Sequence, residues 1–256
     1  MDFVGKIIAV ANQKGGVGKT TTSVNLAACL GAKKKKVLLV DCDPQGNASS
    51  GYGIDKSALE QTIYHVLIDG ADIREVIQHT EFKVDVLPAN IELAGAEVEL
   101  VAAISRETRL KKAIDQVAVD YDYVIIDCPP SLGLLTLNSL AAADSVLMPI
   151  QCEFYALEGV SQLMNTIDLV RNNLNDRLEV EGVVMTMYDS RTRLAEQVVA
   201  EVRENFGDAV YKTMIPRNVR LSEAPSYGQP IIYYDKSSKG AEVYLKLAKE
   251  VISRGK

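Results

Sequence analysis

Short apolar runs recur along the chain, and stretches with helical spacing of apolar positions fill most of the intervals between them. The runs at 6–12, 37–41, 84–88, 122–127, 145–150, 180–186 and 210–215 predict strands. Val37-Leu38-Leu39-Val40 and Val124-Ile125-Ile126 contain no polar residue. A continuously apolar strand needs cover on both faces of its sheet. Helices are predicted at 20–31, 58–68, 95–104, 106–118, 134–143, 156–173, 194–206 and 238–253. Strands and helices in alternation imply parallel strands joined by crossover helices. The expected fold is α/β, three layers, with a mostly parallel central sheet flanked by helices. No internal repeat, low-complexity tract or Pro/Gly/Ser-rich linker interrupts the pattern, so residues 1–256 read as one domain.

In this architecture ligands bind at the carboxyl ends of the strands, and three of those ends are rich in chemistry. The first strand runs into Lys14-Gly15-Gly16-Val17-Gly18-Lys19-Thr20-Thr21 and then into a helix with Val24, Ala27, Ala28 and Leu30 at its apolar or small positions. Strand, glycine-rich turn, Gly-Lys-Thr, helix is a phosphate-binding sequence. The glycines let the backbone curl so that successive N–H groups face anionic oxygens, and the helix adds its positive end. Lys19 supplies a full charge to the outer phosphates, and Thr20 a hard oxygen for magnesium. The usual pattern places glycine at the position held by Gln13, and a second lysine, Lys14, stands at the mouth of the loop. Lys14 is either a solvated charge or a charge meant for something nearby.

The second strand ends in Asp41-Cys42-Asp43-Pro44-Gln45-Gly46-Asn47, and that at 122–127 in Asp127-Cys128-Pro129-Pro130-Ser131. Acidic strand ends beside a phosphate loop are what magnesium-assisted phosphoryl chemistry requires. Asp127 fits the acidic residue that orients the metal through a water; its other reading is a helix N-cap. Asp43 is placed to hold a water in line with the terminal phosphate. Asp41 is either a structural carboxylate or a group near the metal.

Composition narrows the setting. No apolar stretch approaches the roughly 20 residues of a membrane span, and no leader-like segment precedes the first strand, so a cytosolic protein is expected. Cys29, Cys42, Cys128 and Cys152 are scattered without a C-x-x-C pair, which predicts free thiols. The net charge is -6, but unevenly spread: residues 1–170 hold 14 Lys and Arg against 22 Asp and Glu, and residues 171–256 hold 14 against 12. An acidic whole argues against a constitutive nucleic-acid binder and leaves room for a basic face in the last third. The run Lys33-Lys34-Lys35-Lys36 reads as a solvated turn complementing a helix C-terminus.

Together the phosphate loop with its extra lysine, Val40-Asp41-Cys42-Asp43-Pro44-Gln45-Gly46-Asn47 and Val124-Ile125-Ile126-Asp127-Cys128-Pro129-Pro130-Ser131 resemble the ParA/MinD class of ATPases, built on a P-loop NTPase fold. Tyr155-Ala156-Leu157-Glu158-Gly159 and Ile215-Pro216-Arg217-Asn218-Val219-Arg220-Leu221-Ser222-Glu223-Ala224-Pro225 are similar to the chromosomal ParA (Soj) branch. The likeness runs from about residue 6 to 252. It implies an ATPase using ATP and Mg2+, with Gly15 to Thr21 wrapping the phosphates and Thr20 on the metal. It implies that Lys14 reaches the nucleotide of a second subunit, that Asp43 positions the attacking water, and that Pro216 and Asn218 contact the adenine. By position alone, Pro216-Arg217-Asn218 is an ordinary strand-end turn.

The resemblance further implies an ATP-bound homodimer that binds double-stranded DNA without sequence preference, and a ParB-type centromere-binding partner that stimulates hydrolysis. Arg191, Arg193, Arg217, Arg220, Lys236 and Lys239 lie outside apolar periodic patterns and form the expected DNA-binding set, with Arg191 and Arg220 matching the family best. Chromosome or plasmid partition in the cytoplasm, on the nucleoid, is the implied role. The short N-terminus implies no operator-reading helix-turn-helix. A MinD-like membrane-associated positioning ATPase is the rival; it needs an amphipathic targeting helix beyond the folded domain, whereas the apolar face of the last helix here is expected to pack on the sheet. An iron–sulfur electron carrier of the same loop class needs interface cysteines in glycine-flanked contexts, which are missing.

Overall fold

The structure, a computed structural model, describes residues 5–255. One seven-stranded sheet runs through the described residues, in the order β3-β4-β2-β5-β1-β6-β7. Its strands are β1 (Lys6–Val10), β2 (Val37–Asp41), β3 (Gln78–His79), β4 (Asp85–Leu87), β5 (Tyr123–Asp127), β6 (Ser145–Gln151) and β7 (Glu179–Thr186). Every pairing is parallel except β3 with β4. The helices are α1 (Lys19–Ala32), α2 (Asn47–Ser50), α3 (Ile63–Ile68), α4 (Ile73–Val76), α5 (Leu93–Glu99), α6 (Arg109–Ile114), α7 (Leu134–Ala142), α8 (Glu158–Asn173), α9 (Arg193–Phe206), α10 (Val219–Glu223), α11 (Ile231–Tyr234) and α12 (Lys239–Arg254).

The apolar strands are explained by two cores. Side chains alternate across a sheet, so Ile7 and Ala9 of β1 join Leu38, Val40, Val124 and Ile126 on one face. Ile8 and Val10 join Val37, Leu39 and Ile125 on the other. The first face is covered by α3, α5, α6, α7 and α8, and the second by α1 and α12, whose Leu26, Leu30, Tyr244 and Leu247 are buried there. Burying one such Leu or Ile contributes about 1.5–3 kcal/mol, so neither face can be polar.

Boundaries moved where side chains competed with periodicity. The helix expected at 58–68 starts at Ile63, because the Thr62 hydroxyl accepts from the Tyr64 N–H and His65 Nδ1 accepts from the Thr62 N–H. The helix expected at 106–118 keeps only Arg109–Ile114 as α-helix. Residues 210–215 form no strand. They run beside β7 with isolated bridges, Val183 to Val210 and Tyr188 to Pro216, and the Tyr211 and Ile215 N–H groups donate to Val183 and Met185, each at 2.8 Å. Gly182 permits this approach, since a Cβ there would stand 2.6 Å from the Ala209 carbonyl oxygen. The two-residue β3 and the short α2, α4, α10 and α11 carry too few residues for a period to register.

Candidate functional site

The sheet order sets β2, β5 and β1 side by side, and Asp127 lies in register with both Asp41 and Val10. The two acidic strand ends and the glycine-rich loop therefore share one edge. Gly16 (φ 75°) and Gly18 (φ 88°) hold left-handed backbone, which glycine adopts at no steric cost. Gly18 caps α1 with no side-chain hydrogen bond, so the N–H groups of the first turn are left for a ligand. The Lys19 ammonium folds back over the loop and donates to the Lys14 carbonyl at 3.1 Å. It is 6% exposed; burial lowers its pKa, opposed by the neighbouring carboxyls of Asp127 and Asp43.

Two residues that sequence reasoning missed hold the loop's shape. Asn12 Nδ2 donates to the Pro149 carbonyl at 2.7 Å while its Oδ1 accepts from the Lys14 N–H at 2.9 Å. The Thr186 hydroxyl, at the end of β7, donates to the Val17 carbonyl at 2.8 Å. Both anchors reach across more than half the chain, so no local spacing could announce them.

The carboxylates differ in kind. Asp127 is wholly buried. Its Oδ1 accepts from the Ser23 hydroxyl at 2.8 Å, while its Oδ2 is buried with no hydrogen-bond partner. Burial, then the charge of Asp41, raises its pKa. This is not the N-cap of a helix: the next helix, α7, starts at Leu134 and takes its capping carboxylate from Glu97, which accepts from the Leu134 N–H at 2.9 Å. Asp41 is engaged within the fold: its Oδ2 accepts from the N–H (2.8 Å) and hydroxyl (2.7 Å) of Ser49, whose hydroxyl accepts from the Ala89 N–H. Asp43 is at the rim, 9% exposed, and its Oδ1 accepts from the Gln45 N–H at 2.9 Å. Among the described residues no three His, Cys, Asp or Glu side chains converge as a metal cage. A magnesium ion here would lean on the Thr20 hydroxyl, water and phosphate oxygens, with Asp127 behind, which suits an ion that keeps several waters. Cys42 and Cys128 are free and buried, and burial pushes the Cys128 thiol up to about 12, so neither is a ready thiolate ligand.

On the other side of Gly18 lies a cavity of about 330 Å3, bordered by Gly18, Thr21, Met187, Pro216, Asn218 and Tyr244. Asn218 Oδ1 is buried without a partner. Among the described residues, Asp127 Oδ2 and Asn218 Oδ1 are the two buried side-chain atoms with unmet hydrogen-bonding capacity. Asp127 reaches α1 through Ser23, and Asn218 borders the cavity with Gly18 and Thr21. A larger cavity of about 660 Å3 lies at the opposite end of the sheet, away from this chemistry.

Lys14 Nζ forms an ion pair with Glu153 of the same chain. The six basic residues expected to meet DNA are all exposed, and three of them are matched by carboxylates. Arg191 grips Asp189 through Nε (2.9 Å) and Nη2 (2.7 Å). Arg220 pairs with Glu223 (2.8 Å) and Asp235 (3.5 Å). Lys239 pairs with Glu242 at 2.9 Å. Arg193, Arg217 and Lys236 have no ion pair among the described residues.

A strand, a loop of left-handed glycines and an uncapped helix around a buried lysine, beside an orphaned carboxylate oxygen, define a nucleotide-binding ATPase of the phosphate-loop class. Residues 5–180 match the family model described as AAA domain. The chain is 64% identical to the sporulation initiation inhibitor protein Soj of Bacillus subtilis, over 98% of this chain and 100% of that one. It is 58% identical to the chromosome partitioning protein ParA of Myxococcus xanthus, over 98% and 89%. Among solved structures it resembles one described as cobyrinic acid a,c-diamide synthase from Mycobacterium smegmatis with bound ATP analog and magnesium, at 39% identity and a TM-score of 0.87, over 98% and 96%. The chain belongs to the Soj/ParA family of partitioning ATPases.

Proposed function

We propose that the protein is an ATP-driven partition switch. Mg-ATP closes two copies face to face, the closed dimer binds double-stranded DNA without sequence preference, and hydrolysis, stimulated by a ParB-type partner, releases it. The observation that carries this reading is the pair of unmet buried atoms, Asp127 Oδ2 and Asn218 Oδ1, in residues close to the phosphate loop and α1. Leaving such atoms unpaired costs about 1–3 kcal/mol each, a cost that a nucleotide and its metal would relieve.

In this scheme Gly15 to Thr21 wrap the phosphates and Lys19 neutralises them. Thr20 and Asp127, the latter through water, hold Mg2+, which supplies charge stabilisation to the transferring phosphoryl group. Pro216 and Asn218 receive the adenine. Asp43 orients the attacking water and accepts its proton. Lys14 leaves Glu153 for the second subunit's phosphates, where exclusion of water strengthens its charge. Two copies of Arg191, Arg193, Arg217, Arg220, Lys236 and Lys239 meet DNA phosphates together, which makes binding depend on dimerisation although the whole protein is acidic. Residues 1–256 act as one domain, in the cytoplasm on the nucleoid.

A membrane role fits less well. The apolar face of α12, with Val243, Leu247 and Val251, is buried in the second core, and no helix among the described residues is long and apolar enough to cross a membrane. The test is an ATPase assay with and without duplex DNA and the cognate ParB, alongside light scattering with Mg-ATP. Slow turnover raised by both ligands together, and an ATP-dependent dimer, are expected. A protein that stayed monomeric with hydrolysis blocked would refute the scheme.

A further inference from the structure

The cavity of about 660 Å3 opens at the amino ends of the strands, beside Val37 at the start of β2 and Asp85 at the start of β4. Its volume lies within the range of small-molecule sites. Five cationic residues border it, Lys34, Lys35, Lys36, Lys83 and Arg74, against two carboxylates, Asp85 and Asp120. The lysine run that reads as a solvated turn in the sequence thus borders a cavity.

The nearby carboxylates are already engaged. Asp85 accepts from the Tyr121 hydroxyl at 2.9 Å and lies 2.8 Å from His79 Nδ1. Asp120 pairs with Arg74 at 3.7 Å. Asp122 pairs with Lys35 at 3.3 Å and accepts from the Lys36 N–H at 2.8 Å. Lys34, Lys36 and Lys83 are left with no ion pair among the described residues, three unmatched ammoniums around one opening in a protein of net charge -6.

The backbone fixes two of these three in place. Lys34 (φ 65°) and Lys83 (φ 59°) both hold left-handed backbone, where lysine is uncommon. Lys34 lies just past the end of α1, its N–H donating to the Gly31 carbonyl at 2.9 Å. Lys83 sits in the turn before β4, and its carbonyl oxygen would stand 2.7 Å from a Cβ on Gly31. The two turns therefore touch, and their lysines share a rim. Below them the lining is apolar: Val37, Ile77 and Val117 are buried, with the Tyr121 ring alongside.

We infer that this cavity binds a small molecule bearing a di- or triphosphate, its anionic groups on Lys34, Lys36 and Lys83 and its remainder against the apolar floor. Ammonium groups bind phosphate as point charges and are screened by salt. The site lies at the opposite end of α1 from the phosphate loop and does not rest on the partition reading.

The experiment is calorimetry with inorganic tripolyphosphate at low ionic strength, in metal-free buffer, on protein saturated with ADP so that the loop is filled. Saturable binding of one tripolyphosphate is expected, at least about tenfold weaker in Lys36→Gln/Lys83→Asn, a variant whose asparagine accepts left-handed backbone. ADP affinity and thermal stability should match the wild type. No saturable binding to the wild type, or equal binding by the variant, overturns the inference. So does a variant that loses retention on duplex DNA while tripolyphosphate never saturates, since the face would then contact nucleic acid.

Discussion

Lys14 Nζ is held by Glu153 of its own chain, and both side chains are about one-third exposed. The loop's extra lysine is thus occupied before any second subunit arrives. If Lys14 must leave Glu153 to reach a partner's nucleotide, the pair opposes dimerisation. A partly exposed pair is worth about 0–1 kcal/mol, so Glu153→Gln should lower the ATP concentration for half-dimerisation by up to about fivefold. Lys14→Gln should leave ATP affinity near the wild-type value and weaken the dimer. Nucleotide titrations followed by light scattering read both; Glu153→Gln dimers that need more ATP than the wild type would contradict the latch.

Asp43 stands at the rim while Asp41 and Asp127 are wholly buried. A water-positioning base must reach the terminal phosphate, and of the three only Asp43 borders solvent. Asp43→Ala should reduce ATP turnover by about 10²–10⁴-fold, with ATP binding intact and dimers accumulating. Single-turnover hydrolysis with labelled ATP checks this; wild-type rates would remove Asp43 from the mechanism.

Asp127 sits buried without a partner for Oδ2, and its pKa is raised by that burial. The folded chain therefore keeps this proton to higher pH than the unfolded chain does. Its contribution to stability is full below the ordinary carboxylate range and is lost as pH rises through the raised folded value. Asp127→Asn removes that loss and keeps an acceptor for Ser23. The ligand-free variant should melt higher than the wild type at about pH 8, by about 1–3 kcal/mol or about 2–10 °C, by less at about pH 5, and near the wild-type value only at about pH 3. Magnesium-dependent ATP binding should weaken. Thermal melts across pH decide; equal melting at all of these pH values would mean that the carboxyl is not strained by burial.

Much of the site was legible because its chemistry is local. Lys19, Gly18 and Thr20 are adjacent in sequence, and Asp41 and Asp127 announce themselves as polar residues ending apolar runs. The rest depends on contacts between distant segments. Glu153 lies 139 residues from Lys14, and Thr186 lies 169 from Val17. Asp41 read as either structural or near the metal, and only the fold put Ser49 and Ala89 around it. The strand expected at 210–215 failed for the same reason: its apolar residues pack on β7 and the second core without a continuous ladder. Single arginines could be read as exposed, but not as already paired.

That pairing bears on DNA. Arg191 is 86% exposed as a side chain, yet both its Nε and Nη2 hold Asp189. A phosphate must compete with that carboxylate for the guanidinium. If this face meets the duplex as proposed, Asp189→Asn should free Arg191, remove a competing negative charge and tighten ATP-dependent DNA binding. Arg191→Ala should weaken it and, for two copies per dimer, reduce the salt slope of log K by about 2. Arg191→Glu with Arg220→Glu should abolish binding while dimerisation survives. Filter binding across ionic strength, at saturating ATP with hydrolysis blocked, measures all three. If Asp189→Asn weakens binding as much as Arg191→Ala does, the carboxylate positions the arginine rather than competing for it.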